Sequence, residues 1–298
     1  MRDWQIREAE ATDLAAAFDI YYEYETHGDK RPASFSVPAY LTHVRETGRL
    51  LVAEQSDAIV GFTGLVTRDA VSFLTDFFVR PTGQSASIGR ALLTTILPKE
   101  GVHCTCSTAD PRALALYIRA GMRPIWPQVW LRGDGRTTAH VDHGVTHGIT
   151  IEEARSAQTD RALIAWEAEL GGRQRAQGLT FWREAQGGIP LWFRRGDERI
   201  GYAIIRMRGR TLRDPAAVTI GPLGVREVAD AAACTLAAVE WVRQRADIYY
   251  MTVPGPHPAL APLLESGCRI EDFYTFMSND EGAFYDPHRY ISSGADLF

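Results

Sequence analysis

"RPTGQSASIGRALL" runs from Arg80 to Leu93 and joins an apolar run, "VSFLTDFFV" (Val71–Val79), to a segment with helical spacing. How this turn reads decides the chain. A helix N-terminus leaves about four backbone N–H groups unpaired and carries roughly half a positive charge. A turn that presents those amides at the carboxyl end of a strand is an anion site, and small residues let the backbone approach the ligand. Gly83, Ser85, Ala86, Ser87 and Gly89 are all small, Gln84 adds an amide donor and Arg90 adds charge. Two glycines suffice for such a loop provided that no Ser or Ala position needs a positive φ. The Lys-Ser/Thr end of a mononucleotide loop is missing, and so is the G-x-G-x-x-G of a dinucleotide fingerprint. An ordinary strand-to-helix turn is the competing reading.

Upstream, "WQIRE" alternates like a strand. Thr12 or Asp13 caps a helix with Leu14, Phe18 and Tyr21 or Tyr22 at helical spacing. A second helix spans "SVPAYLTHVRETG", with Ser36 as cap, Pro38 in the first turn and Gly48 at the exit. "RLLVAEQ" and "AIVGFTGLVTR" flank a polar turn and form a hairpin. Downstream come the helix "SIGRALLTTILPK", the strand "VHCTCSTA", the helix "PRALALYIRAG" and the strand "IWPQVWLRG".

The segment from Gly133 to Gly148 is polar and glycine-rich and reads as a linker holding His140, His143 and His147. After it the order of elements starts over. "ITIEEA" repeats the opening strand, a helix carries Leu163, Trp166 and Leu170, and a hairpin turns at "RGDER". Then follow the strand "AAVTIGPLGV", the long helix "EVADAAACTLAAVEWVRQRA", the strand "DIYYMTVPG", the helix "PALAPLLESG" and the strand "CRIEDFYTFMS". The expected fold is therefore a mixed α/β (α+β) sheet protein made of two copies of one unit, each about 145 residues long, an ordinary domain size. The divisions are 1–135, a linker over 136–148, and 149–298.

The 298 residues are 45% hydrophobic and 23% charged, a globular composition. A net charge of -5 without a basic block argues against nucleic acid as partner. The N-terminus lacks an apolar signal core, and no apolar run approaches the roughly 18 residues of a membrane span. Four cysteines (Cys104, Cys106, Cys234 and Cys268) show no disulfide framework, which fits a reducing cytoplasm. "HCTC" and the linker histidines lack a second ligand pair of matching spacing, so no metal is expected.

Together, "LTDFFV", "QSASIG", "HCTCSTA" and "DPRALALYIRAGM" resemble the Gcn5-related N-acetyltransferase (GNAT) family over about residues 4 to 132. That family's pyrophosphate loop has the form Q/R-x-x-G-x-G/A, which here becomes Gln84, Ser85, Ala86, Ser87, Ile88, Gly89, with Ser87 in the first glycine's place. "LTDFFV" is similar to the "LEDFFV" strand of the polyamine acetyltransferase branch. "DPRALALYIRAGM" is similar to N-x-x-A-x-x-LY-x-x-x-GF, with Asp110 for the Asn and Met122 for the Phe.

The resemblance implies acetyl-CoA as co-substrate and no metal. The backbone of Phe77, Phe78 and Val79 would pair with the pantetheine arm like an added strand. The amides from Ser85 through Ala86, Ser87, Ile88 and Gly89 to Arg90 would hold the pyrophosphate, with Gln84 and Asp110 beside the cofactor. Tyr117 would protonate the leaving thiolate, a transfer between a phenol of pKa about 10 and a thiol near 8–9 that must be coupled to departure. The family often places a Glu where this chain has Thr75. Asp76 is the neighbouring candidate base, though strict alternation turns it to the other face. Glu23 and Glu25 fall where the fold lines its acceptor cleft and would attract a cationic amine, or else form a solvated helix end.

The second copy departs further. Aligning Gly267 with Gly121 puts Leu263 at Tyr117 and Pro256 at Asp110, and the acidic Glu227 and Asp230 open the helix after "IGPLGV". These acids suit the helix dipole but repel a pyrophosphate, so the second copy is expected to be degenerate and to pack against the first. The function implied is transfer of an acetyl group from acetyl-CoA to a small-molecule or peptide primary amine by direct attack, in a monomer with an internal pseudo-dimer or in a homodimer. The alternative is a non-catalytic acyl-CoA-binding or scaffold protein, since Ser87, Thr75 and Asp110 all leave the pattern.

Overall fold

The computed structural model describes residues 3–294 except 33, 82–86, 137–145, 147, 155–156, 209–211, 213, 215 and 281–283. The linker histidines fall outside these residues. The first half runs β1 (Trp4–Glu8), α1 (Leu14–Glu25), α2 (Ala39–Thr47), β2 (Arg49–Gln55), β3 (Ala58–Arg68), β4 (Val71–Val79), α3 (Ile88–Ile96), β5 (Val102–Ser107), α4 (Pro111–Arg119) and β6 (Arg123–Asp134). The second runs β7 (Ile149–Glu153), α5 (Ala157–Leu170), α6 (Ala176–Glu184), β8 (Gly188–Arg195), β9 (Glu198–Arg206), β10 (Val218–Val225), α7 (Val228–Arg243), β11 (Ile248–Pro254), α8 (Leu260–Glu265), β12 (Arg269–Ser278) and β13 (Tyr290–Ile291).

Helix starts depart slightly from expectation. A short 3-10 turn over Ala11–Asp13 precedes α1, and Asp13 serves it by accepting from the Glu10 N–H at 2.8 Å while pairing with Arg7 at 2.6 Å. Helix α2 begins at Ala39 with Pro38 as its N-cap position, so Ser36 stands too far upstream to cap it. Two elements go beyond what the sequence pattern predicts, α6 and β13.

All strands join one sheet in the order β1-β2-β3-β4-β5-β12-β6-β11-β10-β9-β8-β7, with β13 against β10. The halves exchange their long last strands. β12, from the end of the second half, pairs with β5 of the first, while β6 pairs with β11 of the second. The β6–β12 ladder closes the middle from Arg123↔Ser278 to Arg132↔Arg269. The sequence boundary near residue 135 is therefore crossed in space by both strands.

Three cores follow from this sheet. One gathers Phe18, Leu41, Phe62 and Phe73 with Trp166, Trp182, Trp192 and Tyr202, and so spans both halves on a single face. Its seam includes His43 of α2 stacked on Phe181 of α6 with ring centroids 4.3 Å apart. The opposite face carries one core per half: Ile88, Leu92, Leu93 and Met122 under α3 and α4, and Ala231, Leu236, Val239 and Leu263 under α7 and α8. Apolar contact through this shared core, together with the exchanged strands, is what makes the two repeats one body.

Candidate active site

Strands β4 and β5 are parallel neighbours only from Val71↔Val102 to Leu74↔Thr105. Beyond that they part, while β4 stays paired with β3 as far as Val79. The edge of β4 from Thr75 to Val79 thus faces a wedge. The cavity there holds about 180 Å³ and is lined by Tyr24, Asp76 and Phe78, by Phe77, Gly89, Leu116 and Tyr117, and by the run Thr105–Thr108 with Asp110 and Arg112. Phe78 packs against Tyr21 and Tyr24 of α1, whereas Phe77 and Val79 pack into the core under α3 and α4. The wedge accordingly opens to both faces of the sheet.

A β-bulge shapes its floor. The β3–β4 register passes from Leu65↔Leu74 to Gly64↔Asp76, which leaves Thr75 as the extra residue. Strict alternation separates Thr75 and Asp76; the bulge instead brings both to the cavity. The Thr75 hydroxyl donates to Asp76 Oδ2 at 2.7 Å and the Tyr40 hydroxyl to Oδ1 at 2.9 Å. Asp76 is 5% exposed, so its carboxylate is held by these donors at the cavity wall. Both side chains lie over Gly64, where a Cβ would stand 2.3 Å from Thr75 Oγ1 and 3.1 Å from Asp76 Oδ2. Only glycine fits beneath the pair.

Helix α4 supplies the opposite wall. Asp110 caps it by accepting from the Arg112 N–H at 2.8 Å and from the Arg112 guanidinium at 2.9 Å. This hydrogen bonding holds the Asp110 carboxyl below the usual carboxylate range. Two turns on, Tyr117 is buried with its ring centroid 5.7 Å from that of Phe77. Burial first, then the negative charges of Asp110 and Asp76 and the nearby Tyr24, push its phenol up. Tyr117 therefore keeps its proton at neutral pH, as a proton donor must.

The loop is described only from Ser87 onward; Gln84, Ser85 and Ala86 lie outside the described residues. Ser87 adopts φ 64° and ψ 14°, the left-handed region. The condition that no Ser or Ala position takes a positive φ is thus not met, and a non-glycine residue there costs roughly 1–2 kcal/mol. Ile88 points into the core with no exposure, leaving only its backbone toward a ligand. Gly89 lines the cavity, and a Cβ on it would meet Phe77 at 3.4 Å and Leu116 at 3.5 Å. Arg90 is exposed on the first turn.

The acidic pair on α1 requires a correction. Glu23 accepts from Arg80 through both of its oxygens at 3.0 Å, which ties α1 to the end of β4, and neither Glu23 nor Glu25 lines the cavity. Helix rotation explains this: Tyr24, between them, is the residue turned to the wedge. Tyr24, Tyr40, Arg112, Leu116 and the Thr105–Thr108 run are the additions that the motifs alone do not supply. For Tyr24 a signal exists in "YYEYE", where only the phase of the helix was undecided.

A second wedge occupies the matching place in the other half. β10 and β11 are parallel only at Val218↔Tyr249 and Thr219↔Tyr250. The β9–β10 register also shifts here, between Ile220 and Leu223. This wedge is filled by the chain itself. β13 pairs antiparallel with β10 at Leu223↔Ile291 and Gly224↔Tyr290, and the Val225 N–H donates to Arg289 O at 3.0 Å. Tyr290 to Ser293 are almost wholly buried. The Tyr290 hydroxyl donates to Glu167 at 2.8 Å, in a buried network with Arg175 and Tyr202. Leu263, in Tyr117's place, is fully buried, and Asp230 pairs with Arg195 at 2.7 Å in the first turn of α7.

With this geometry in hand, residues 46–123 match the model of the acetyltransferase (GNAT) domain. No curated protein matches the chain in sequence. Among solved structures, a Pyrococcus horikoshii protein assigned as an acetyltransferase is 16% identical, with 99% of this chain and 96% of that one covered at a TM-score of 0.73. A GCN5-related N-acetyltransferase from Sphaerobacter thermophilus is 15% identical, covering 100% and 98% at 0.63. A tandem GNAT protein from the clavulanic acid biosynthesis pathway is 16% identical, covering 92% and 98% at 0.64. The chain has the fold of two GNAT domains in tandem, and the part of it that matches the acetyltransferase (GNAT) domain model, residues 46–123, lies in the first of them. Among the described residues no helix is long and apolar enough to cross a membrane.

Proposed function

We propose that this protein is an acetyl-CoA-dependent N-acetyltransferase whose first wedge carries out direct transfer to a primary amine, and that residues 1–135 and 149–298 are an active and a degenerate repeat. The observation that carries this is the parting of β4 and β5, which leaves a β4 edge able to accept an extended ligand as an added strand. The residues fit acetyl-CoA. Thr75–Val79 offer backbone pairing, Gly89 keeps the wedge narrow but open, and the amides from Ser87 to Arg90 begin a helix suited to a pyrophosphate. Acetyl-CoA supplies the thioester.

The chain's own groups account for the protons. The amine nitrogen attacks the thioester carbonyl and the C–S bond breaks. Asp76, fixed by Tyr40 and Thr75, takes the proton lost by the amine. Tyr117, kept protonated by burial, returns one to the departing sulfur. Tyr117→Phe is expected to lower kcat about 10²–10⁴-fold in a thiol-release assay while leaving acetyl-CoA binding in place. Unchanged release removes Tyr117 from this role. Thr75, standing where the family often places a Glu, motivates a second reading, an acyl-CoA-binding protein without turnover, and binding without thiol release under any acceptor would select it.

A further inference from the structure

The seam between the halves holds a small cavity on the face of the shared core. Its volume is about 20 Å³, above the roughly 10–15 Å³ that one water needs and enough for a single atom-sized ligand. The first half lines it with His43 of α2 and Arg68 at the end of β3. The second half supplies Arg173 and Arg175, just before α6, and Trp182 within that helix.

The wall is rich in donors. Arg68, Arg173, Arg175 and Trp182 carry side-chain N–H groups and no acceptor atom, and among the described residues no carboxylate lines the cavity. Trp182 is 1% exposed, and its indole nitrogen is buried with no hydrogen-bond partner. Buried donors are seldom left so. Arg68 is half-buried and bonds only neutral oxygens among the described residues: the Thr47 and Thr67 carbonyls and the Thr47 hydroxyl, each at 2.9 Å. Arg173 and Arg175 are already engaged, with the Gly171 carbonyl and with Glu167. The charge that lacks a carboxylate is therefore that of Arg68, and the donor that lacks an acceptor is that of Trp182. Repulsion is felt here too. Burial and then the charge of Arg175 hold the Arg68 guanidinium below its usual range, and burial and then Arg68 do the same to His43. A water in the cavity would add two O–H donors to a wall of donors, whereas an anion brings acceptor capacity alone.

We propose that this cavity binds one monatomic anion of the chloride class, which accepts from the Arg68 guanidinium and the Trp182 indole N–H. The ion joins α2 and β3 of the first half to α6 of the second. It stands independently of the acetyltransferase reading.

The full chain is melted at one pH and one ionic strength while sodium gluconate, whose anion is too large for the cavity, is exchanged for sodium chloride or bromide. Tm is expected to rise with the logarithm of halide concentration above Kd, by about 2–4 °C for each tenfold. Crystals grown in gluconate and soaked in bromide should show an anomalous peak in the cavity. Arg68→Met should abolish the shift, and Trp182→Phe should raise the bromide Kd at least about tenfold, as loss of a hydrogen bond to a charged group does. Arg119→Met, on the exposed side of α4, should leave both intact. Each variant is compared with itself in the two salts, so general damage to folding cancels. Equal Tm in gluconate and halide overturns the proposal. So does a halide shift that Arg68→Met leaves unchanged, which marks a general salt effect on surface charge, and so does a bromide-soaked crystal with no peak between Arg68 and Trp182.

Discussion

In the first half β4 and β5 part after Leu74 and Thr105, and the gap stays open to a volume of about 180 Å³. In the second half β10 and β11 part after Thr219 and Tyr250, and residues 289–293 lie in the gap. Both wedges expose one edge of a central strand, and buried backbone groups need partners. The second half meets that need from its own chain, whereas in the first the Thr75–Val79 stretch borders the cavity. The contrast shows that a wedge in this fold can be closed without disturbing the sheet: a two-residue strand and its neighbours fill it, while the parting of the strands and the register shift beside it remain.

Four substitutions test this contrast. Tyr290→Ala is expected to cost about 4 kcal/mol, as removal of a large buried aromatic does, because it empties the closed wedge and strips a donor from Glu167. Urea unfolding measures it, and a loss under about 1 kcal/mol would show the β13 segment to be a passive cover.

The next effect concerns His257, at the end of β11, where the first half has an open rim. Burial, and then the charge of His288, lower its pKa from 6.5 to about 4. Between those values the unfolded chain binds a proton that the folded chain does not. Stability is therefore complete above pH 6.5 and falls as pH drops toward 4, by up to about 1.4 kcal/mol per pH unit and about 3 kcal/mol in all. His257→Gln should flatten that slope between pH 7 and 4, and parallel slopes in the two proteins would contradict the buried neutral ring.

Gly89→Val should close the open wedge as β13 closes the other. Added bulk against Phe77 and Leu116 is worth about 2 kcal/mol, or roughly a thirtyfold loss of acetyl-CoA affinity. Calorimetry should find one molecule bound per chain before the change, and a second molecule would break the comparison. Smallest is Ser87→Gly. Relief of the left-handed strain, less the extra freedom of glycine in the unfolded chain, leaves a gain of about 0.5 kcal/mol in denaturant unfolding.

Much of the first half could be read from residues alone, because alternation and helical spacing mark β1 to β5 and α1 to α4 locally. Tyr117 is singled out only by the resemblance of "DPRALALYIRAGM" to the family's segment; its seven-residue spacing after Asp110 adds only that the two share a helix face. The strand exchange was not legible: β6 and β12 carry the same alternating pattern whichever neighbour they pair with, so pairing partners are a tertiary choice. Nor was the bulge at Thr75, which depends on Gly64 in the facing strand. Helix α6 escapes because Gly178 and Thr180 interrupt the apolar face of Leu179, Phe181 and Trp182. β13 has only two paired residues, below the length at which periodicity exists. Which side chain of α1 faces the wedge depends on helix phase and not on charge: Glu23 meets Arg80, and the neutral Tyr24 faces the wedge.

The exchanged strands also set an order of birth. The edge of β5 is covered by β12, so the half that holds the open wedge waits for residues 269–278 to leave the ribosome. Roughly 160 residues separate the two, which at 5–20 residues per second is about ten to thirty seconds of synthesis. During that interval the nascent chain presents an uncapped strand of Val102–Ser107, a template for wrong pairing. Truncation anywhere before β12 should thus leave an insoluble fragment rather than a smaller enzyme, and slow codons after residue 135 would lengthen the exposure.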